Sequence, residues 1–358
     1  MKIGKYEIKH PIIQGGMGVG ISWDKLAGTV SLEGGLGVIS AVGTGYYKDN
    51  QDLAIKMKKE KPVDVMNFYS KDALKKIISN ARKICGDAPL ACNILYACND
   101  YGRIVEDACE AGVDIIITGA GIPTNMPEFT KDYPDVALIP IVSSARALKL
   151  ICKKWKRYNK LPDAVIVEGP LSGGHQGFSY EQCFQEEFQL ENIVPPVIEE
   201  AKNWGNPPII AAGGIWDKND IDKYLDMGCA GVQMATRFIG TFECDADVNM
   251  KNVLIQSKSE DIKLMKSPVG LPARGVQTNL QKSMLEGTAP KVVCISNCVA
   301  PCHRGVEAKA VGYCIADRLG AAYQGDVETG LFFTGSNGYK INKIISVHEL
   351  MEKLTKGE

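Results

Sequence analysis

The sequence predicts an α/β chain folded as a (β/α)8 TIM barrel with an elaborated C-terminal segment. Three observations carry that prediction. Eight short runs rich in β-branched residues recur between positions 11 and 235. Helix-type patterning fills the gaps between most of them. Glycines collect just after several of the runs, at Gly15-Gly16, Gly43, Gly119, Gly173-Gly174 and Gly213-Gly214.

The runs fall at 11–14, 36–42, 90–95, 114–118, 137–142, 164–168, 208–212 and 231–235. Several are apolar without alternation, as in Asp114-Ile-Ile-Ile-Thr118. Strands of that kind are covered on both faces, which suits a parallel sheet flanked by helices. A helix predicted at 24–33 takes Asp24 as its N-cap and stops before Gly34-Gly35. Another at 101–111 stops at Gly112, and one at 218–227 stops at Gly228. The helix at 145–158 ends on Lys153, Lys154, Lys156 and Arg157, a basic end that suits the helix dipole. Strand–helix alternation marks an α/β fold, and eight repeats over this span fit a barrel. A doubly wound sheet would put its phosphate glycines after the first strand. Gly15 to Gly20 follow strand one but fit no register of G-x-G-x-x-G.

After the eighth run the pattern changes. Residues 245–324 hold Ser267-Pro-Val-Gly-Leu-Pro272, a cysteine-rich stretch and a helix predicted at 306–323. The expected organisation is a barrel from 1–244 and 325–358, with 245–324 an elaboration over its mouth rather than an independent domain. Residues 326–339 contain Leu331-Phe-Phe333 and Gly335-Ser-Asn-Gly338. They read either as a loop returned to the mouth or as an ordinary link to a helix at 346–354.

Composition excludes several function classes. With 41 basic and 42 acidic residues the net charge is −1, which offers nothing to nucleic acid or an anionic membrane. No apolar run nears the roughly 20 residues that span a bilayer. The first ten residues lack the apolar core of a signal peptide. A cytoplasmic protein is expected, with its twelve cysteines as reduced thiols. A small-molecule substrate is the expected partner, and homo-oligomer formation is left open.

The distinctive motifs all fall at carboxyl ends of predicted strands, the face where barrels build their sites. Gly213-Gly214 after strand seven and Gln233-Met234-Ala235-Thr236 at the end of strand eight offer bare backbone N–H groups and one hydroxyl. Loops seven and eight are where barrels usually grip phosphate. Glu168-Gly-Pro-Leu-Ser-Gly173-Gly174-His175 follows strand six. A lone histidine is often structural. On a glycine loop at this face, with a near-neutral ordinary pKa, His175 is a candidate for proton transfer.

Taken together, Pro11-Ile-Ile-Gln-Gly-Gly-Met-Gly18, Gly173-Gly-His-Gln-Gly177, Ala211-Ala-Gly-Gly-Ile215 and Gln233-Met-Ala-Thr-Arg-Phe238 resemble the nitronate monooxygenase (2-nitropropane dioxygenase-like) family. The resemblance implies an FMN-dependent barrel. It implies Gly15, Gly16 and Met17 against the isoalloxazine and Asn93 in contact with FMN. Gly173, Gly214 and Gln233, Met234, Ala235 and Thr236 would hold its phosphate arm, with Gly174 and Gly213 also placed at the cofactor. His175 would match the catalytic base that takes the α-proton of a nitroalkane or orients a nitronate.

Two features depart from that pattern. Glu168, also placed at the cofactor, stands where these monooxygenases commonly carry glutamine. Glutamate there resembles the related FMN-dependent enoyl-acyl-carrier-protein reductases, so an enoyl-thioester reductase using NAD(P)H is the alternative activity. A non-catalytic flavin-binding protein is the third reading. The other departure is a C-x₃-C-x₃-C-x₁₁-C array of Cys294, Cys298, Cys302 and Cys314. Such thiols could bind zinc or an iron–sulfur cluster, yet the spacing matches no common ferredoxin or zinc-ribbon pattern. Buried thiols also serve as small apolar groups, and no metal site is assigned.

Overall fold

A computed structural model describes residues 1–47, 52–289 and 291–357. The chain opens with a small antiparallel hairpin, β1 (Lys2–Ile3) and β2 (Tyr6–Glu7). Then come β3 (Ile12–Gln14), β4 (Gly37–Ser40), β5 (Leu90–Leu95), β6 (Ile115–Gly119), β7 (Ala137–Val142) and β8 (Val165–Glu168). The two-residue β9 (Gly174–His175) lies outside the main sheet, which continues with β10 (Ile209–Ala212) and β11 (Gly231–Met234). The eight strands run parallel in the order β3-β11-β10-β8-β7-β6-β5-β4. A parallel bridge between Ile13 and Leu36 closes the ring. The Gln14 N–H donates to the Leu36 carbonyl and the Leu36 N–H to the Ile12 carbonyl, each at 2.9 Å. The predicted TIM barrel is therefore the fold.

Strand alternation decides what faces inward. Ile13, Val38, Ala91, Ile115, Ile117, Ile139, Ile166 and Ile210 form the barrel's own core. Their neighbours Ile12, Cys92, Ile116, Leu138, Val167 and Ala211 pack outward in the layer shared with the helices. The hairpin supplies Ile3 and sends the chain on to Ile8, both in the inner core; Met1 and Tyr6 pack against it. Continuing the period of two toward the carboxyl ends puts Asn93 and Glu168 on the inner face. Gln233 pairs with the inward Ile13, so it joins them.

The helices at Tyr101–Glu110, Ala145–Trp155 and Lys218–Asp226 lie where periodicity placed them. The Asp24–Leu32 helix does too, but Asp24 is its first residue and not its cap. Asp245 takes the cap's role from far along the chain. Its carboxylate accepts from the N–H groups of Trp23 at 2.8 Å, Lys25 at 3.2 Å and Leu26 at 3.2 Å. The expected single helix at 306–323 is two, Val306–Val311 and Ile315–Tyr323. Gly312 divides them at a φ of 102°, which a continuing helix cannot contain.

Beyond the barrel, β12 (Ile262–Met265) and β13 (Ala273–Val276) pair antiparallel. β13 also pairs with β14 (Phe332–Phe333) and with β9. One small sheet thus joins the 245–324 segment, the loop after β8 and the tail. Among the described residues no helix is long and apolar enough to cross a membrane, and all twelve cysteines are free thiols.

Candidate active site

The first strand's glycines pack against side chains that β5 and β11 point inward. A Cβ at Gly16 would lie 2.5 Å from Asn93 Cβ, so no larger residue fits. At Gly15 it would meet the Gln233 side chain at 3.1 Å and Ala235 Cβ at 3.4 Å. Gly15, Gly16, Asn93, Gln233 and Ala235 are therefore brought together. Met17 begins the next turn, its N–H donating to Ser22 Oγ at 2.8 Å, and packs half-buried against the core. The Gln233 Oε1 is buried and has no hydrogen-bond partner. Such an acceptor costs free energy unless a ligand donates to it.

A second group of residues meets at the ends of β8, β10 and β11. Gly213 and Gly214 hold φ of 101° and 81°, the left-handed region that glycine allows. The loop at 334–338 lies across them. The Gly335 N–H donates to Thr236 Oγ1 at 2.8 Å, Asn337 Nδ2 to the Gly214 carbonyl at 2.7 Å, and the Ser336 N–H to the Leu171 carbonyl at 3.1 Å. A Cβ at Gly173 would come within 2.6 Å of the Thr334 backbone. Of the two readings of the tail, the return to the mouth is the one observed. Gly335 and Asn337 thus belong to the candidate site, although neither was singled out from sequence; the Gly-Ser-Asn-Gly run was the available signal. Met234 differs from its neighbours. Its side chain is buried in the outer, helix-facing layer, leaving only its backbone for a ligand.

Glu168 and His175 bring the titratable chemistry. Glu168 pairs in register with Ala212, and Ala212 with Gln233, so carboxyl and amide flank one small residue. Burial lifts the Glu168 carboxyl to about 7, because a low-dielectric wall penalises its charge. His175 lies on β9, opposite Ala273 of β13. Its Nε2 shares a hydrogen bond with Ser267 Oγ at 2.7 Å. Its ring meets Phe333 edge to face, centroids 5.3 Å apart. Burial lowers its pKa to about 4, so the imidazole is neutral at pH 7. Gln176 braces the same loop, its Nε2 donating to the carbonyls of Ser172 and Gly174, both at 2.9 Å.

The nitronate monooxygenase family model matches residues 1–357. The chain belongs to the nitronate monooxygenase family. A probable nitronate monooxygenase of Staphylococcus saprophyticus is 28% identical over 297 residues, covering 79% of this chain and 80% of that one. A (3aS,4S,5R,7aS)-5-hydroxy-7a-methyl-1-oxo-octahydro-1H-indene-4-carboxyl-CoA dehydrogenase of Rhodococcus jostii is 26% identical over 281 residues, covering 77% of this chain and 65% of the relative. Among solved structures, FabK from Thermotoga maritima aligns with a TM-score of 0.70 and 28% identity, covering 98% of this chain and 93% of that one. This member of the family is an enzyme, an oxidoreductase.

Proposed function

We infer that the chain is an FMN-dependent nitronate monooxygenase with His175 as its base. The neutral imidazole held by Ser267 carries this reading. A base must be unprotonated at working pH, and burial keeps His175 so. The hydrogen bond to Ser267 fixes where the ring nitrogen points.

The donor set suits FMN. The unpartnered Gln233 Oε1 is an acceptor of the kind a flavin ring N–H satisfies. Gly15 and Gly16 are tight against Gln233 and Asn93 and bring no side chain of their own to the site. Gly173, Gly174, Gly213, Gly214 and Thr236 supply the backbone and hydroxyl partners that a phosphate arm needs. When bound, FMN supplies the electron acceptance and the chemistry with oxygen, while the protein provides position and electrostatics. In this reading His175 takes the proton α to the nitro group, or orients a nitronate already formed. Ser267 and Phe333 keep the ring in place, and Glu168 brings a second titratable group from the preceding strand end. The test is oxygen uptake by the yellow protein on addition of ethylnitronate. No uptake with any alkyl nitronate would remove the assignment.

Glu168 supports a second reading, an NAD(P)H-dependent enoyl-thioester reductase. A carboxyl near 7 can donate a proton at neutral pH, which the reduction of a conjugated thioester requires. The likeness to FabK and to a CoA-thioester dehydrogenase points the same way. Anaerobic bleaching by NAD(P)H, followed by recovery with crotonyl thioester, would favour it; no reaction with either nucleotide would exclude it.

A further inference from the structure

The cysteine array is a group of reactive side chains that the reading above leaves unused. Its four members, separated by up to twenty positions, line a single cavity: Cys294, Cys298, Cys302 and Cys314. The cavity is small and partly open to solvent. Its remaining walls include Val299, Ile315 and the buried Ser296 hydroxyl. Among the described residues that hydroxyl makes no hydrogen bond to nitrogen or oxygen, and it lies beside the Cys298 sulfur.

The backbone around the cavity is held in place. The Asn99 N–H donates to the Cys298 carbonyl at 3.2 Å, and the Ala300 N–H to the Ala97 carbonyl at 2.9 Å. Asn99 Nδ2 donates to the Asn297 carbonyl at 2.6 Å. The array is thereby laced to the loop that follows β5. Cys314 caps the Ile315–Tyr323 helix, whose amino end favours negative charge. The N–H groups of Asp317 and Ile295 are directed at its sulfur. Thiolate ligands of a metal centre are stabilised by such donors.

We propose that Cys294, Cys298, Cys302 and Cys314 bind a [4Fe–4S] cluster at the rim of the barrel mouth. The arrangement distinguishes a cluster from one zinc ion. Zinc draws four sulfurs to about 2.3 Å from a common point. Among the described residues no three metal-ligating side chains converge as one ion requires. Four thiols along one cavity match in number the four thiolates that hold a [4Fe–4S] centre. The site adjoins the reaction site: Tyr313 precedes Cys314, and its hydroxyl donates to the Lys266 carbonyl at 2.8 Å, next to Ser267.

Protein purified without oxygen should contain about four iron and four acid-labile sulfide per chain, the stoichiometry of a [4Fe–4S] centre. Flavin absorbs in the same region, so metal analysis and low-temperature electron paramagnetic resonance carry the test. C298S with C302S should lose most of the iron, whereas C183A should retain it. Iodoacetamide gives a measurement independent of the variants. Cys294, Cys298 and Cys302 should resist alkylation in the native protein and react once a chelator has removed iron. The proposal fails if iron stays well below one per chain after anaerobic incubation with ferrous iron and sulfide. Stoichiometric zinc in place of iron, or prompt alkylation of the array in iron-replete protein, would equally overturn it.

Discussion

His175 and Ser267, 92 positions apart, meet in a hydrogen bond of 2.7 Å between the Nε2 and Oγ atoms. The loop after β8 and the segment ahead of β13 are thereby coupled through side chains as well as through the β9–β13 pairing. Removing each partner has a different expected consequence. H175A should lower turnover by roughly 10²–10⁴-fold, the range for losing a general base, with flavin content unchanged. S267A leaves the base but frees its ring. The expected loss is about tenfold in kcat, from a hydrogen bond worth about 1 kcal/mol and the ring orientation it fixes. Steady-state kinetics with flavin quantitation checks both. Equal losses in the two variants would mean that the imidazole acts only as a structural prop.

Opposite pKa shifts make opposite predictions for stability against pH. His175 falls from 6.5 to about 4. Between those values the unfolded chain binds more protons, so this residue makes stability rise with pH. Glu168 rises from 4.5 to about 7. There the folded chain holds the extra proton, so this residue makes stability fall as pH rises through that window. The wild type should therefore show a flattened profile between pH 4.5 and 6.5. E168Q should expose the rising limb and H175A the falling one, read as melting temperature across that range. Unchanged profiles in both variants would count against the shifts.

Gly173→Ala should weaken cofactor retention. Its Cβ would lie 2.6 Å from the Thr334 backbone carbon and 2.7 Å from Gly335 N, so the 334–338 loop must move. N337A removes the bond to the Gly214 carbonyl without adding bulk. FMN affinity, measured by fluorescence quenching on reconstitution, should fall about tenfold for N337A and further for G173A. Wild-type affinity in both would separate this loop from the cofactor.

Asp245 offers a test of the fold remote from the chemistry. D245A deprives three N–H groups at the start of the Asp24–Leu32 helix of their acceptor. Losing a helix cap costs about 1–2 kcal/mol. D245N should recover much of it, since an amide oxygen still accepts. Denaturant midpoints of the three proteins check this. No difference between D245A and wild type would show that water replaces the carboxylate.

Barrel architecture was legible in the sequence because its signal is local. Ile115–Gly119 is an apolar run with no alternation, and only a strand covered on both faces reads that way. Gly213, Gly214 and His175 became candidates for a similar reason, as unusual residues just beyond a strand. Ser267, Gly335 and Asn337 were not identified, because each acts through a partner about a hundred residues away. Asp245 escaped notice for the same reason; Asp24 held the expected cap position while a distant carboxylate performs the capping. The break at Gly312 was visible as a glycine, but helices tolerate glycine at moderate cost, so the residue alone could not decide the matter.

The lacing of Gly335 to Thr236 and of Asn337 to Gly214 has a bearing on biosynthesis. All eight barrel strands have been made once Met234 leaves the ribosome, yet the segment laced to Thr236 and Gly214 follows about a hundred residues later. A nascent chain could close its barrel and still hold a cofactor only loosely until that segment arrives. If the proposed cofactor site is right, loading is tied to late synthesis, and a ribosome-stalled or proteolytically shortened product would be expected to accumulate as a folded but colourless protein.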